Sequence, residues 1–254
     1  MKLGKHPPKY NEKTLLLRSY LKEEDFAPPP TKVYREYKLP TDWGTYMNDV
    51  LGICTCAAVA HLIMLTTAHT GTMVTPDPAD ILTAYSAITG YDASKTDASG
   101  NNPTDNGAAI TDVLAYWQST GIAGHKILGW CQTNHASRVR RQQGVFIFGA
   151  NNVGVRLPAI AQQQFTDNAT WDTVPDDGGI EGGHCIVEVG YGTEGSDFVT
   201  WGRGDQKATY RWSDFYLDES YVVVTQDWIN EASGLAPSGF KIDQLIADLQ
   251  TIKA

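Results

Sequence analysis

The chain has 254 residues, of which 42% are hydrophobic and 19% charged. These proportions are ordinary for a globular protein that buries one large core or two lobes sharing a cleft. The formal net charge of -9 at pH 7 argues against nucleic acid and against an anionic membrane surface as partners, because both require a basic face. Residues 1–8 contain no apolar run, so no secretory signal peptide is recognisable.

Residues 1 to about 40 are polar and interrupted by prolines at Pro7-Pro8, Pro28-Pro29-Pro30 and Pro40. This composition predicts an extended N-terminal arm, residues 1–40, rather than a folded domain. Within it, only Thr14 to Leu21 has enough apolar residues to dock on another surface.

The run from Val50 to Ala68 is the one stretch that resembles a membrane span. It includes four polar side chains: Thr55, His61, Thr66 and Thr67. A helix that is apolar on all sides is also typical of a protein core. We therefore predict a buried central helix from Thr55 to about His69 and no transmembrane segment. His61 on this helix is expected to be a core histidine.

Three further helices are predicted. Asp77-Pro78 supplies an N-cap and a proline at the first helical position, and apolar residues follow at helical spacing. The other two run from about Ala108 to Ser119 and from Lys241 to Ile252. The polar loop from Asp92 to Asn106 has carboxylates that could bind calcium, but their spacing matches no known calcium loop.

After Gly121 the pattern changes to short segments rich in β-branched and aromatic residues, which predict strands. These segments are Val145–Phe148, Val153–Leu157, Cys185–Val189, Asp197–Trp201, Ala208–Trp212 and Tyr221–Val224. Helices come first and strands later, so the fold class is α+β, with a helical lobe and an antiparallel sheet lobe. We expect the helical lobe at about 41–140, the sheet lobe at about 141–226, and a C-terminal extension with a helix at 227–254.

The strongest chemical signal is a cysteine at the start of the central helix combined with a histidine far downstream. Cys54 follows the turn residue Gly52, and a helix amino terminus favours the thiolate over the thiol. His184 begins a predicted strand after two glycines, which would allow a substrate backbone to approach closely. This layout is typical of a thiol nucleophile and its base.

Other interpretations of these residues remain open. Cys56 is the rival nucleophile, but it lies some 200° around the helix from Cys54, so both thiols cannot face one cleft. Cys54, Cys56, His184 and Cys185 could also be zinc ligands, although Cys-x-Cys leading into a helix lacks the usual spacing. The four cysteines do not form a disulfide framework, since Cys54 and Cys56 are too close to pair easily. A reducing compartment is the simpler expectation.

Four ordered motifs between about residues 40 and 226 resemble those of the papain-like cysteine peptidases, in particular the branch of that family found in bacteria and bacteriophages. They are Asn48-x-x-Leu51-Gly52-x-Cys54-Thr55-x-Ala57, Asp105-Asn106-Gly107-Ala108-Ala109-Ile110-x-Asp112-Val113-Leu114, Gly182-Gly183-His184-Cys185-x-Val187-x-Val189-Gly190-Tyr191 and Thr200-Trp201-Gly202. The resemblance implies a two-lobed papain-like fold in which the helix that carries the nucleophile is central.

The resemblance also implies site roles. Cys54 would be the nucleophile, His184 its general base and acid, and Asn48 would replace the family's glutamine as oxyanion donor. Val199 stands where the family has the asparagine that orients the histidine, and valine cannot form that hydrogen bond. Thr200 is one residue away, and strand alternation turns it to the opposite face unless the strand is bulged.

Two functions follow as hypotheses. One is a cysteine peptidase with an eroded triad, acting on a peptide or protein substrate, with the arm near the cleft as a leader or pro-segment. The other is a catalytically inactive structural protein on the same fold, such as a capsid-decorating or tail-associated bacteriophage virion component. In that case the arm would contact neighbouring subunits. Neither hypothesis calls for a cofactor or metal, and the expected location is cytoplasmic or virion-associated.

Overall fold

The computed structural model describes residues 1–9, 14–20, 40, 42–69 and 71–225. The predicted helix from Lys241 to Ile252, the rest of the 227–254 extension and much of the arm lie outside these residues. The described part of the chain contains six α-helices and seven strands.

Three helices form the lobe that precedes most of the sheet: α1 (Cys54–His69), α2 (Pro78–Thr89) and α3 (Ile110–Ser119). Residues Cys54 to Thr67 of α1 are all buried, as expected of a helix that is apolar on every side. The helix α2 begins as its sequence predicts, because the Asp77 side chain accepts from the Ala79 N–H and Pro78 occupies the first turn. Within the described residues, no helix has both the length and the apolar character needed to cross a membrane.

The seven strands form one sheet in the order β1-β2-β7-β3-β4-β5-β6. Neighbours pair antiparallel, except that β1 from the arm joins β2 in parallel. The strands are β1 (Leu15–Leu16), β2 (Ile127–Gln132), β3 (Asn151–Pro158), β4 (Ile180–Tyr191), β5 (Gly195–Thr200), β6 (Arg203–Thr209) and β7 (Leu217–Thr225). Three short helices accompany the sheet: α4 (Arg138–Phe148), α5 (Ala159–Thr166) and α6 (Tyr210–Tyr216). Because β2 belongs to the sheet, sheet residues begin well before residue 140.

Two predicted strands are wrong in whole or in part. Val145–Phe148 forms the last turn of α4, which begins at the N-cap Ser137. A run of four apolar residues does not distinguish a strand from a buried helix, and here the capping residue decides. Of Ala208–Trp212, only the part up to Thr209 is strand. The Thr209 side chain then accepts from the Trp212 N–H and starts α6.

The main core lies between α1 and the sheet, where residues of β4 pack on the helix. A second cluster fills the opposite face of the sheet around Trp171 and Trp212, whose rings stack with centroids 4.7 Å apart. Leu17, which follows β1, is buried against Ile147 and Phe148 of α4, so this part of the arm is anchored on the sheet lobe. The packing of α1 on β4 in the main core holds the first turn of α1 beside that strand.

Candidate functional site

Cys54 is the first residue of α1 and lies directly after the turn at Gly52. The backbone of Ile53 closes the first helical turn by accepting from the Cys56 and Ala57 N–H groups. The Cys54 side chain is buried, and this burial raises the pKa of its thiol to about 11. The backbone N–H groups of Cys185 and Gly4 act in the opposite direction, which places both groups next to the sulfur.

His184 lies on β4, one residue before Cys185, and is also buried. Its Nε2 is hydrogen-bonded with Thr200 Oγ1 at 2.7 Å. The imidazole stacks on the Trp201 ring, with the centroids 4.4 Å apart and the planes 21° from parallel. Its Nδ1 has no hydrogen-bond partner among the described residues. The ring is therefore held at one nitrogen and over one face, and its Nδ1 makes no hydrogen bond with Cys54 Sγ in the closed cleft.

Thr200 reaches His184 by ordinary strand alternation. Phe198 of β5 and Ile186 of β4 belong to one buried cluster on the same face of the sheet, and Thr200 and His184 lie two residues from them along their strands, on that face. The register shift between β5 and β6 adds its extra residue to β6, so the contact forms without the bulge in β5 that the sequence called for. Val199, the neighbour at the family's asparagine position, is fully buried in the main core.

Both ionisable groups of the site are electrically neutral in this closed arrangement. Burial lowers the pKa of His184 to about 3, and nearby positive charges, among them Lys5, act in the same direction. With the Cys54 pKa at about 11, the site holds a thiol and an imidazole at neutral pH. A reactive thiolate requires that water or a substrate group enter.

The site is closed by the chain itself. Residues 1–6 lie in the cleft, the space bounded by Asn48, Gly52 and Ala108 of the helical lobe and by Gly182 and Gly183 of β4. Four backbone hydrogen bonds of 2.9–3.0 Å hold this segment: Lys2 N–H to Asn48, His6 N–H to Ala108, Ala108 N–H to Gly4, and Lys5 N–H to Gly183. The segment is thus bound to both lobes through its backbone, directly over Cys54.

Glycines allow this close approach. A Cβ on Gly4 would overlap the carbonyl oxygen of Gly52, and one on Gly107 would overlap the carbonyl oxygen of Gly4. Gly107 also has a φ of +77°, a conformation that disfavours any side chain. The fit leaves no room for a side chain at position 4.

Asn48, the predicted oxyanion donor, is buried beside the cleft. Its Nδ2 donates to the Leu51 carbonyl and to the Lys2 carbonyl, both at 3.0 Å. The first bond fixes the amide on its own loop. The second shows that the remaining N–H already binds a peptide carbonyl lying in the cleft.

Asp105 is a site residue whose role the sequence did not indicate. Its side chain is fully buried, and it accepts from the Gly52 N–H at 3.0 Å, from Tyr85 Oη at 2.6 Å and from Lys2 Nζ at 2.6 Å. Tyr85 Oη in turn accepts from the Gly107 N–H. This network fixes the turn before Cys54 against α2, α3 and the arm. The sequence did contain a signal, because Asp105 is the first residue of the motif that includes Gly107, but that motif was interpreted only as evidence for the fold.

We expect Asp105→Asn to destabilise the protein by about 2–3 kcal/mol. The NH₂ group of the asparagine would face groups that are themselves donors, namely the Gly52 N–H, Tyr85 Oη or Lys2 Nζ, and would leave them unpaired. Urea unfolding monitored by circular dichroism measures the change. Asp112→Asn is the matched control, since Asp112 is half exposed and its ion-pair partner among the described residues is exposed Lys9. We expect a change under about 0.5 kcal/mol. Equal effects of the two variants would contradict the structural role of Asp105.

The other candidates lie away from the cleft chemistry. Cys56 is buried in the main core, with its pKa raised by burial to about 12. His61 is a core histidine whose Nε2 is hydrogen-bonded with the Gly44 carbonyl at 2.9 Å. In the part of the chain that the structure describes, no three His, Cys, Asp or Glu side chains are grouped to hold a metal ion.

Comparison with solved structures identifies proteins of similar fold. The chain is similar to xylellain, a cysteine protease from Xylella fastidiosa, with a TM-score of 0.63, 15% identity, and coverage of 88% of this chain and 96% of that one. It is also similar to procathepsin B S9 from Trypanosoma congolense (TM-score 0.57, 12% identity, 89% and 86% covered). A cysteine protease from Carica candamarcensis in complex with E-64 gives a TM-score of 0.51 at 14% identity, with 77% and 99% covered.

No family model matches the chain, and no curated protein matches it by sequence. At these identities the likeness concerns the fold alone. The chain has a papain-like α+β fold, with Cys54 and His184 on the facing elements of its two lobes.

Proposed function

We propose that the chain is a papain-type cysteine peptidase that its own residues 1–6 keep latent. The observation that carries the proposal is that a peptide backbone already lies across Cys54, bound to both lobes of the cleft. A substrate peptide would use the same backbone groups on Ala108 and Gly183.

The reaction would begin with transfer of the Cys54 proton to His184 Nδ1. The thiolate sulfur would attack the carbonyl carbon of the scissile bond, and the carbonyl oxygen would become an oxyanion. Asn48 Nδ2 and the Cys54 N–H, which has no acceptor within its own helix, would stabilise that charge. The imidazolium would then protonate the leaving amine, and water, deprotonated by His184, would hydrolyse the acyl-enzyme.

Thr200 would be a positioning residue in this scheme. Its hydroxyl holds Nε2 at 2.7 Å, which fixes the ring so that Nδ1 carries the transferred proton. A hydroxyl is a smaller partner than the family's asparagine, so the triad is eroded in chemistry while an orienting bond is retained.

The second candidate is a catalytically inactive structural protein, such as a bacteriophage virion component. The observation in its favour is the closed cleft, where ion pairs of Lys2 with Asp105 and of buried Lys5 with Glu219 anchor the arm and both Cys54 and His184 are neutral. A protein that never opens would keep these contacts as part of its core. The two candidates differ in whether displacing the arm yields hydrolysis.

The test is hydrolysis of fluorescein-labelled casein by full-length Gly4→Leu, whose new side chain cannot fit against Gly52. We expect release of labelled peptides, and none when Cys54→Ser or His184→Ala is added. Lys9→Leu, in the same arm but exposed, should behave as wild type. A folded Gly4→Leu or Gly4→Ala protein that hydrolyses no casein would favour the structural candidate.

A further inference from the structure

The side chain of Lys5 is fully buried although it carries a charge. Its Nζ lies 2.8 Å from Glu219 Oε1, 3.1 Å from Asp218 Oδ2 and 2.9 Å from the His6 carbonyl oxygen. The three protons of an ammonium group thus meet three acceptors. A surface lysine of an arm would ordinarily remain in water, so this burial indicates a site shaped for it.

The pocket around Lys5 is acidic at its base. Glu219 is buried, and its second oxygen accepts from Tyr221 Oη at 2.9 Å. Asp218 is only slightly exposed. Burial raises the pKa of Glu219 while the Lys5 ammonium opposes that rise. Without a cation in the pocket, Glu219 would keep the Tyr221 donor and Asp218 would lose its Lys5 donor.

Glycines keep this pocket open. A Cβ on Gly154 of β3 would lie 2.6 Å from Glu219 Cγ and 2.8 Å from Asp218 Oδ1. Any side chain at position 154 would therefore displace the two carboxylates. At the rim, Gly183 allows the Lys5 backbone to lie flat on β4, since a Cβ there would overlap the Lys5 carbonyl oxygen.

The pocket opens beside the nucleophile. Lys5 donates its backbone N–H to Gly183, the residue before His184, and pairs in a parallel bridge with Ala108 on the other lobe. Gly4, the residue before it, approaches the Cys54 sulfur. The backbone contacts at this point accept any sequence, whereas the side-chain pocket discriminates.

We propose that the pocket formed by Gly154, Asp218, Glu219 and Tyr221 is the specificity pocket of the cleft, and that it selects peptides with lysine at the position that Lys5 now fills. This inference rests on the proposed function and names the substrate class of that site. Lys5 occupies the pocket as a substrate lysine would.

The physical basis of this selectivity is the free-energy cost of leaving a buried charge without its partner. A ligand with a neutral side chain of the same length would fill the pocket but leave Glu219 without its cation. Removing one partner of a buried ion pair is strongly unfavourable, whereas a fully paired ammonium satisfies both carboxylates. Selection therefore comes mainly from rejection of uncharged side chains.

The test uses full-length Gly4→Leu that also carries Cys54→Ser, which prevents turnover, and a fluorescein-labelled peptide with the sequence of residues 1–9. A second peptide carries norleucine in place of its fifth residue, which keeps the length and removes the charge. Fluorescence anisotropy gives both Kd values. We expect the lysine peptide to bind about 100-fold more tightly, and Glu219→Gln in the same background to reduce the ratio to about fivefold or less. Glu181→Gln, which removes an exposed carboxylate from the same lobe, should leave the ratio unchanged.

Equal Kd values for the two peptides would overturn the proposal. Binding is read without turnover, so the two proposals fail separately. Casein hydrolysis without a lysine preference refutes the proposed pocket and keeps the peptidase proposal. A lysine preference without hydrolysis supports the pocket and refutes the peptidase proposal.

If the Gly4→Leu protein does not fold, the Lys5→Met variant, with Cys54 retained, replaces it. Loss of the ion pair should then speed Cys54 alkylation, and adding Glu219→Gln should speed it little further, whereas additive effects would count against the pocket.

Discussion

Gly4→Leu is expected to raise the rate of Cys54 alkylation by iodoacetamide at pH 7 by about 100-fold or more. A thiol with a pKa of about 11 is ionised about 100-fold less at neutral pH than one at its ordinary value of 9.0. Burial causes that shift, and the arm lies over the sulfur. Expelling the arm admits water, lowers the pKa and exposes the thiolate.

The pH profile gives the sign of the effect. Wild-type labelling should rise only as the pH approaches about 11, because the reactive species is the thiolate. In Gly4→Leu the rise should move to lower pH, and His184→Ala should move it part of the way back if an imidazolium stabilises the thiolate. Lys9→Leu should give the wild-type profile. Identical profiles for wild type and Gly4→Leu, with the mutant folded by circular dichroism, would mean that residues 1–6 do not control the thiol.

Asn48→Ala in the Gly4→Leu background is expected to lower kcat for peptide hydrolysis by about 100- to 1000-fold, or about 2.7–4 kcal/mol of transition-state stabilisation. Asn48 Nδ2 donates to a peptide carbonyl at 3.0 Å even in the closed cleft. Its bond to the Leu51 carbonyl holds the amide in place, so little reorganisation accompanies the reaction. Steady-state kinetics on a fluorogenic peptide measure the loss.

The separation of kcat from KM identifies the role. A donor that acts on the developing oxyanion lowers kcat and leaves KM almost unchanged. Asn48→Gln restores a donor of the kind that the papain-like motif carries and should recover part of the rate. A higher KM at constant kcat would instead assign Asn48 to ground-state binding.

The sequence predicted the elements that carry Cys54 and His184 because both signals are local. A long apolar run after a glycine turn is a helix in which every face is buried, and α1 begins at Cys54 as the motif implies. The glycine pair before His184 likewise marked a strand whose backbone something else approaches, and Lys5 is bound there.

The role of Thr200 could not be predicted because the sequence does not show which face of β4 carries His184. In the structure His184 lies on the face of β4 that matches the Thr200 face of β5, so the contact comes from the pairing of the two strands. The strand predicted at Val145–Phe148 was wrong for another reason, since consecutive apolar residues suit a strand and a buried helix equally. There the cap at Ser137 carried the information.

The filling of the cleft was the least predictable feature. Composition indicated an arm, but a lysine in a polar segment reads as solvated, and nothing local reveals that Glu219 lies more than 200 residues later at the base of its pocket. The single glycine at position 4 carries equally little information until Gly52 is placed against it.

The arm is attached to the fold at two places, in the cleft through residues 1–6 and at the sheet edge through Leu15–Leu16. A segment tethered in this way faces its site at an effective concentration of about millimolar. A substrate at micromolar concentration therefore competes poorly, even if it makes the same contacts. One break in the chain between residues 9 and 14 would turn the same segment into a dilute, dissociable peptide. Under the latent-peptidase proposal, inhibition would then depend on the continuity of that short connection more than on the strength of any contact in the cleft.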